Sequence, residues 1–277
     1  MVQAVARELI VLKALRVTLR LHWGFSIKQP LYSATQPAFR VPPPTTFLGA
    51  LAYPLLSYEG KPEIVYRGGN LYSSAIEILN LARWVAYRVV DPDPRFLVET
   101  RDIGRVCIVP YVRSEHVYPG SAYLWAVQSH GKVYAPGAMF DVIYIVRGSE
   151  SDIEKLTKAA WGIVRLGVKE SIASVYDVSL HSVRVVHTGT VNTSYSFPLS
   201  LAQPEQQRDG DYVVVRLPTV SRESYRVGVV ANPFTYFEDY VIPIDSIRVR
   251  IVSPEKAQFL EVEGVGTIVT PKLGEKL

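Results

Sequence analysis

Cysteine is all but missing. The single thiol in 277 residues, Cys107, excludes an internal disulfide and any cysteine-based metal cluster. Its place between Val106 and Ile108 reads as a small buried hydrophobe. Methionine (two), asparagine (four) and glutamine (eight) are also scarce, a shortage of thermolabile side chains that suits a hot-growing source. No apolar run approaches the ~20 residues of a membrane span. The stretch Met1 to Leu12 carries Arg7 and Glu8 but no small-residue cleavage site, so the expected location is the cytoplasm, away from membranes. Gly-x-Ser-x-Gly, a Walker loop and Gly-x-Gly-x-x-Gly after a strand are all absent, which sets aside the enzyme classes they mark. The five histidines lack metal-ligand spacing; His181 and His187 read as structural or solvated. No metal or cofactor is expected.

What remains is apolar content and arginine. A hydrophobic fraction of 48% is that of a globular chain with a real core, long enough for one large domain or two of ordinary size. The net charge is only +4, yet arginine outnumbers lysine 20 to 10, and guanidinium makes the better forked contact to phosphate.

The chain is organised around residues 34–56. Pro42, Pro43 and Pro44 fix their own φ and push each preceding residue towards extended geometry. The chain then enters a helix, with Thr45 or Thr46 as the expected N-cap. Phe47, Leu48, Leu51, Leu55 and Leu56 recur on one face. Gly49 costs that helix roughly 0.5–1 kcal/mol against alanine, and two readings account for it. Either the helix packs closely on a sheet, or a polymer backbone passes near the helix N-terminus, where free N–H groups favour phosphate.

In chain order, residues 14–22 alternate as a half-buried strand, Leu15, Val17, Leu19 and Leu21 inward, Arg16, Thr18, Arg20 and His22 outward. Those cations are solvated or paired with carboxylates, or else offer a basic face. A second helix is predicted from Ser73 to Trp84 and a short strand from Tyr87 to Val90, ended by Asp91-Pro-Asp-Pro94. Residues 95–135 read as β-hairpins in which Arg101, Arg105, Arg113, His116, His130 and Lys132 lie among tyrosines and Trp125. That mixture suits single-stranded nucleic acid, and a solvated hairpin face equally. Met139 to Val146 is a strand. Ser151 to Glu154 reads as a capping box before a helix marked by Ile153, Leu156, Ala160 and Val164, with Gly167 at its C′ position. Val175 to Val186 is a strand. The sum is β-α-β-β-α-β, an α+β, ferredoxin-like pattern, over residues 1–190. A β-rich subdomain follows over 191–277, with strands at Tyr212–Leu217, Tyr225–Val230, Ile247–Val252 and Gln258–Val262. One reaction stays open: metal-independent RNA cleavage needs only an acid, a base and a cation, and His22, Tyr32 and Lys169 are a set able to meet at one end of the sheet.

Two stretches resemble a family. Pro37-Ala-Phe-Arg40, Pro42-Pro-Pro44-Thr-Thr-Phe-Leu-Gly49-Ala and, after the last helix, Arg165-Leu-Gly-Val-Lys169-Glu-Ser171 resemble the small hook-shaped RAMP subunit of type I Cascade, in the archaeal type I-A branch. The resemblance spans roughly residues 12–190. It implies a ferredoxin-like domain with a hairpin thumb at 95–135 and a glycine-rich loop at Gly167. It also implies a non-catalytic role in antiviral defence, holding the 5′ handle of the guide RNA and capping the filament of backbone RAMP subunits beside the large subunit; contact with target DNA is left open. The RNA-binding set would be His22, Lys28, Phe39, Arg40, Thr46, Gly49, Arg101, Arg113, His116, Arg165, Gly167 and Lys169. One branch of that family cleaves repeat RNA with Tyr, Lys and His, which keeps the endoribonuclease alternative alive. A scaffold that buries the thumb aromatics against a protein partner is the other.

Overall fold

A computed structural model describes residues 11–30, 35–107, 125–205, 210–228 and 232–273, with the side chains of 35, 105–107 and 125–128 excepted. Among the described residues the structure is strand-rich, with two α-helices. The central sheet is built on β1 (Val11–Leu21), whose alternation is as expected: Leu15, Val17, Leu19 and Leu21 are buried completely. It is flanked by β5 (Met139–Gly148) and β6 (Ala173–Val186), both antiparallel, in registers such as Val17↔Val142 and Val17↔Val178. With β2 (Ala82–Asp91), β7 (Ala257–Val262) and β8 (Gly266–Pro271), the order across the sheet is β8-β7-β6-β1-β5-β2. Between β2 and β5 runs a long hairpin, β3 (Glu99–Cys107) with β4 (Trp125–Tyr134), paired from Glu99↔Val133 to Cys107↔Trp125. Its distal turn, with Arg113 and His116, lies outside the described residues, as do Tyr32 and the Cys107 side chain.

Helix α1 (Pro44–Tyr58) buries Phe47, Leu48, Leu51, Leu55 and Leu56, the face read from the sequence. Its N-cap is Pro43, not a threonine, and no side chain caps it; Pro44 takes N1, where a missing N–H costs nothing. Phe47 wedges between Tyr87 and Phe140, at ring-centroid distances of 4.7 and 5.8 Å, and its carbonyl accepts a 3.0 Å bond from the Tyr144 hydroxyl. Helix α2 (Glu150–Trp161) starts two residues before the expected box: Ser149 Oγ accepts from the Asp152 N–H while Asp152 Oδ2 accepts from the Ser149 N–H. It ends at Gly162, so Gly167 is no helix cap, and Val164, beyond the end, is exposed.

The predicted second helix is the main error of periodicity. Only a 3-10 turn forms, Ser74–Ile78, capped by Ser73. Strand β2 then begins at Ala82, and residues 82–87 are buried on both faces. A strand covered on both sides shows no alternation, so threefold spacing of Ile76, Leu79 and Ala82 imitated a helix. The Gly68-Gly69 turn closes a small hairpin, Ile64–Arg67 with Asn70–Ser73.

The tail forms two small three-stranded sheets, one of Thr190–Thr193, Ile247–Ile251 and Ala202–Pro204, the other of Phe197–Pro198, Phe237–Pro243 and Tyr212–Pro218. The strand expected at Tyr225–Val230 is a 3-10 turn, Arg222–Tyr225, and a lone bridge from Arg226 to Tyr72 in its described part. The central sheet curls until its two edges nearly meet. The Trp84 indole donates to the Val269 carbonyl at 3.0 Å, and the Ser196 N–H to the Tyr87 carbonyl at 2.7 Å.

On the sheet face away from the helices, Asp141 is fully buried and accepts from Arg16 (2.7 and 3.1 Å), Arg88 (3.1 Å) and the Tyr195 hydroxyl (2.9 Å). Arg16 is therefore a paired cation, and its hydrogen bond to Asp141 holds the guanidinium pKa above its usual value. Burial, then the Asp141 charge, pushes the Tyr195 phenol up. Tyr195 belongs to the tail, so this cluster fastens the tail to the sheet.

Candidate nucleic-acid interface

The two sequence motifs meet. The end of α2 lies against α1, Gly162 packing on Pro54, and a groove of about 380 Å³ opens between α1, the small hairpin and the Gly167 loop. Thr46, Gly49, Tyr53, Lys61, Arg165 and Gly167 line it. The Arg165 guanidinium lies 4.3 Å over the Tyr53 ring, an arrangement that fixes a cation at a surface site while leaving its N–H edge for an anion. No carboxylate pairs with it among the described residues.

For Gly49 the structure removes one of its two readings. A Cβ built on it meets nothing within 4 Å, so close packing on the sheet is not its reason; the glycine deepens an open groove. Gly49→Ala is accordingly expected to stabilise the protein by about 0.5–1 kcal/mol, raising Tm in a thermal melt by about 2 °C. A lower Tm would show hidden crowding at the helix.

Gly167 is of another kind. Its φ is +95°, and a Cβ would lie 2.6 Å from Ile27 Cγ1 and 2.7 Å from the Ser26 carbonyl oxygen. Glycine is required because the loop presses on the strand exit: the Val168 N–H donates to Ser26 O at 3.1 Å and the Ser26 N–H to Ser171 Oγ at 3.0 Å. Lys169 projects from this loop, exposed.

The remaining expected residues scatter. His22 is exposed beside the same loop, its N–H donating to Ile172 O at 3.1 Å and its Nε2 lying 2.7 Å from Ser174 Oγ. It is thus near Lys169 in the chain path, whereas Tyr32 lies outside the described residues. Lys28 and Arg40 are exposed on the way to α1, Arg40 donating to Leu97 O at 3.2 Å. Arg101 stands on β3, 3.7 Å from Glu99. Phe39 is a correction. It is 6% exposed and stacked on Phe237 at 5.9 Å, so it belongs to the core and offers no platform to a base. Tyr53 and Lys61 were missed: Tyr53 sits on the polar side of α1, and only the fold brings Arg165 over it. His181, bonded to Glu263 O and Ser179 Oγ at 2.9 Å each, is structural. Among the described residues no group of three or more His, Cys, Asp or Glu is placed to hold a metal ion, and no helix is long and apolar enough to cross a membrane.

No family model matches the chain. Among curated proteins it is similar to "CRISPR system aCascade subunit Cas5 1" of Saccharolobus solfataricus, 36% identical over 182 residues, which cover 66% of this chain and 70% of that protein. It is also similar to "CRISPR-associated protein Cas5 3" of the same organism, 31% identical over 188 residues, 66% of this chain and 70% of that one. Among solved structures it resembles the crystal structure of a CRISPR protein from Archaeoglobus fulgidus, with a TM-score of 0.54, 20% identity and coverage of 95% of this chain and 99% of the other. That likeness concerns the fold.

Proposed function

Because this chain belongs to the Cas5 family of CRISPR-associated proteins, we propose that it is a non-catalytic subunit of a type I-A Cascade surveillance complex in antiviral defence. In this reading it holds the 5′ handle of the guide RNA and caps the filament of backbone subunits next to the large subunit. The observation that carries the RNA assignment is the groove, where Gly49 opens from α1, Arg165 is fixed over Tyr53 and Gly167 begins the loop that bears Lys169, so that two distant stretches of the sequence share one surface. Cations and open backbone serve phosphates, and the strand order β6-β1-β5-β2, with α1 and α2 between strands, supports a ferredoxin-like unit from which β3 and β4 extend as a thumb. We likewise propose the division into a unit at 1–190 and a β-rich part at 191–277.

The test is binding of a labelled handle RNA by wild type, Arg40→Glu, Arg165→Glu and Lys169→Glu over a range of salt concentrations. Arg165→Glu, in the groove, and Arg40→Glu and Lys169→Glu, on the loops before α1 and after α2, are each expected to weaken binding at least tenfold and to flatten the salt dependence by about one unit of slope. Salt-independent or absent binding by wild type would favour the protein-contacting scaffold instead. Incubated with repeat RNA in a chelator, the protein is expected to leave it intact; a discrete cut at the handle boundary would make it the repeat-processing endoribonuclease and direct attention to His22, Tyr32 and Lys169.

A further inference from the structure

The sheet face opposite the helices is only partly covered. Arg16 is taken by the Asp141 cluster under the tail, but Arg20, four residues on and on the same side of β1, is exposed. Arg20 and Ser174 are register partners across β1 and β6. Next to them Tyr176 is 55% exposed, its hydroxyl accepting from Arg20 Nη1 at 2.9 Å. His22 completes the group through its 2.7 Å contact with Ser174 Oγ. Together with Gly137 they line a notch of about 300 Å³. Two cation-forming side chains and two hydroxyls converge there, and neither Arg20 nor His22 is ion-paired among the described residues. A structural cation on a sheet face is normally matched by a carboxylate, as Arg16 is. Arg20 is matched by a neutral phenol, which orients the guanidinium without neutralising it.

Beside the notch stands an aromatic pair. Trp23, the residue after His22, packs at 5.7 Å on Tyr134 at the root of the thumb hairpin, and Lys132 lies 5.6 Å over the Trp23 ring. The two places are tied by backbone: the Ala135 N–H donates to Trp23 O at 2.9 Å and the Gly137 N–H to Leu21 O at 3.0 Å. Tyr134 is 51% exposed. Charge with hydroxyls at one point and a half-open ring at the next is the pairing that single-stranded RNA requires, phosphate in the first and an unstacked base on the second.

We propose that Arg20, His22, Ser174 and Tyr176 bind a phosphate of single-stranded RNA, with an adjacent base stacked on Tyr134. Arg20 lies on the sheet face away from the helices, whereas the Gly49–Arg165 groove lies on the helix side; His22 and Trp23 adjoin the Gly167–Ser171 loop between them, with the Trp23 indole donating to Glu170 O at 2.6 Å. This second contact rests on the reading of the chain as an RNA-binding subunit. The test is fluorescence anisotropy of the full chain with a labelled handle RNA, comparing Arg20→Ala, Arg20→Lys, Tyr134→Ala, Arg165→Ala and the Arg20→Ala/Arg165→Ala double variant. Arg20→Ala is expected to weaken binding about tenfold and reduce the salt slope by about one, with Arg20→Lys recovering the slope. Tyr134→Ala is expected to lose about tenfold in affinity at unchanged slope. The double variant should show the product of the two single losses, as separate contacts require. If Arg20→Ala and Tyr134→Ala bind as wild type does while Arg165→Ala is weakened, the second contact is overturned and the groove stands. Absence of salt-dependent binding by wild type would overturn both.

Discussion

Asp141→Ala is expected to cost about 3 kcal/mol of stability, read as a fall in the urea midpoint at unchanged m. Removing one partner of a buried ion cluster strands the remaining charges, which ordinarily costs ~3–5 kcal/mol. Here the two stranded groups are not equally sealed: the side chains of Arg16 and Arg88 are 27% and 39% exposed, against 1% for Asp141. Water therefore screens part of the penalty, which places the expected loss at the low end of that range. The Tyr195 hydroxyl loses its acceptor in the same step. Asp141→Asn keeps an acceptor for one guanidinium and removes the charge, so it should fall between wild type and alanine. If both variants melt with wild type, the tail is held by its apolar contacts alone, and the cluster is only a way of burying two arginines.

Gly24→Ala should be comparably damaging, at about 2–4 kcal/mol, for a reason that involves no charge. Gly24 sits at φ +137° opposite Tyr134, and a Cβ there would lie 1.9 Å from the Val133 carbonyl oxygen and 2.8 Å from the Ala135 nitrogen. Both obstacles are main chain, so no rotamer change relieves them. Strained backbone contributes ~1–3 kcal/mol and overpacking a similar amount. The root of the hairpin has to move away from the strand exit, which also parts Trp23 from Tyr134. Hydrogen exchange is the informative measurement, since protection should be lost at residues 129–135 before it is lost in β1 or β5. Uniform protection with wild-type stability would mean the strand exit and the hairpin are not locked together.

What the sequence disclosed was what strict local rules control. The alternation in β1, the apolar face of α1 and the arginine-bearing loop after α2 depend on neighbours a few residues away, and they appear where the pattern put them. The helix expected to run on to Trp84 gives way to a strand from Ala82, because burial on both faces erases periodicity. Phe39 failed because its partner, Phe237, is 198 positions distant and belongs to the tail. For the candidate site, Gly49, Arg165 and Lys169 were legible as motifs, but the reason for Gly49 was not: only the open space above it distinguishes a packing glycine from one that widens a groove. Tyr53, Tyr134 and Tyr176 carried no signal of their own among 17 tyrosines, since their meaning comes from the cations that folding places beside them.

The near-meeting of the two sheet edges decides how this protein keeps company. A sheet that ends in unpaired strands offers N–H and C=O rows on which another chain can template itself. Here the edge atoms at Tyr87, Thr267 and Val269 already have partners in Ser196, Thr193 and Trp84. Neighbours in an assembly therefore have little main chain to add to at these positions and must recognise the molecule by side chains, or grasp the hairpin that stands away from the curled body. A sheet closed in this way can lie beside another strand-rich chain without being drawn into a continuous sheet with it.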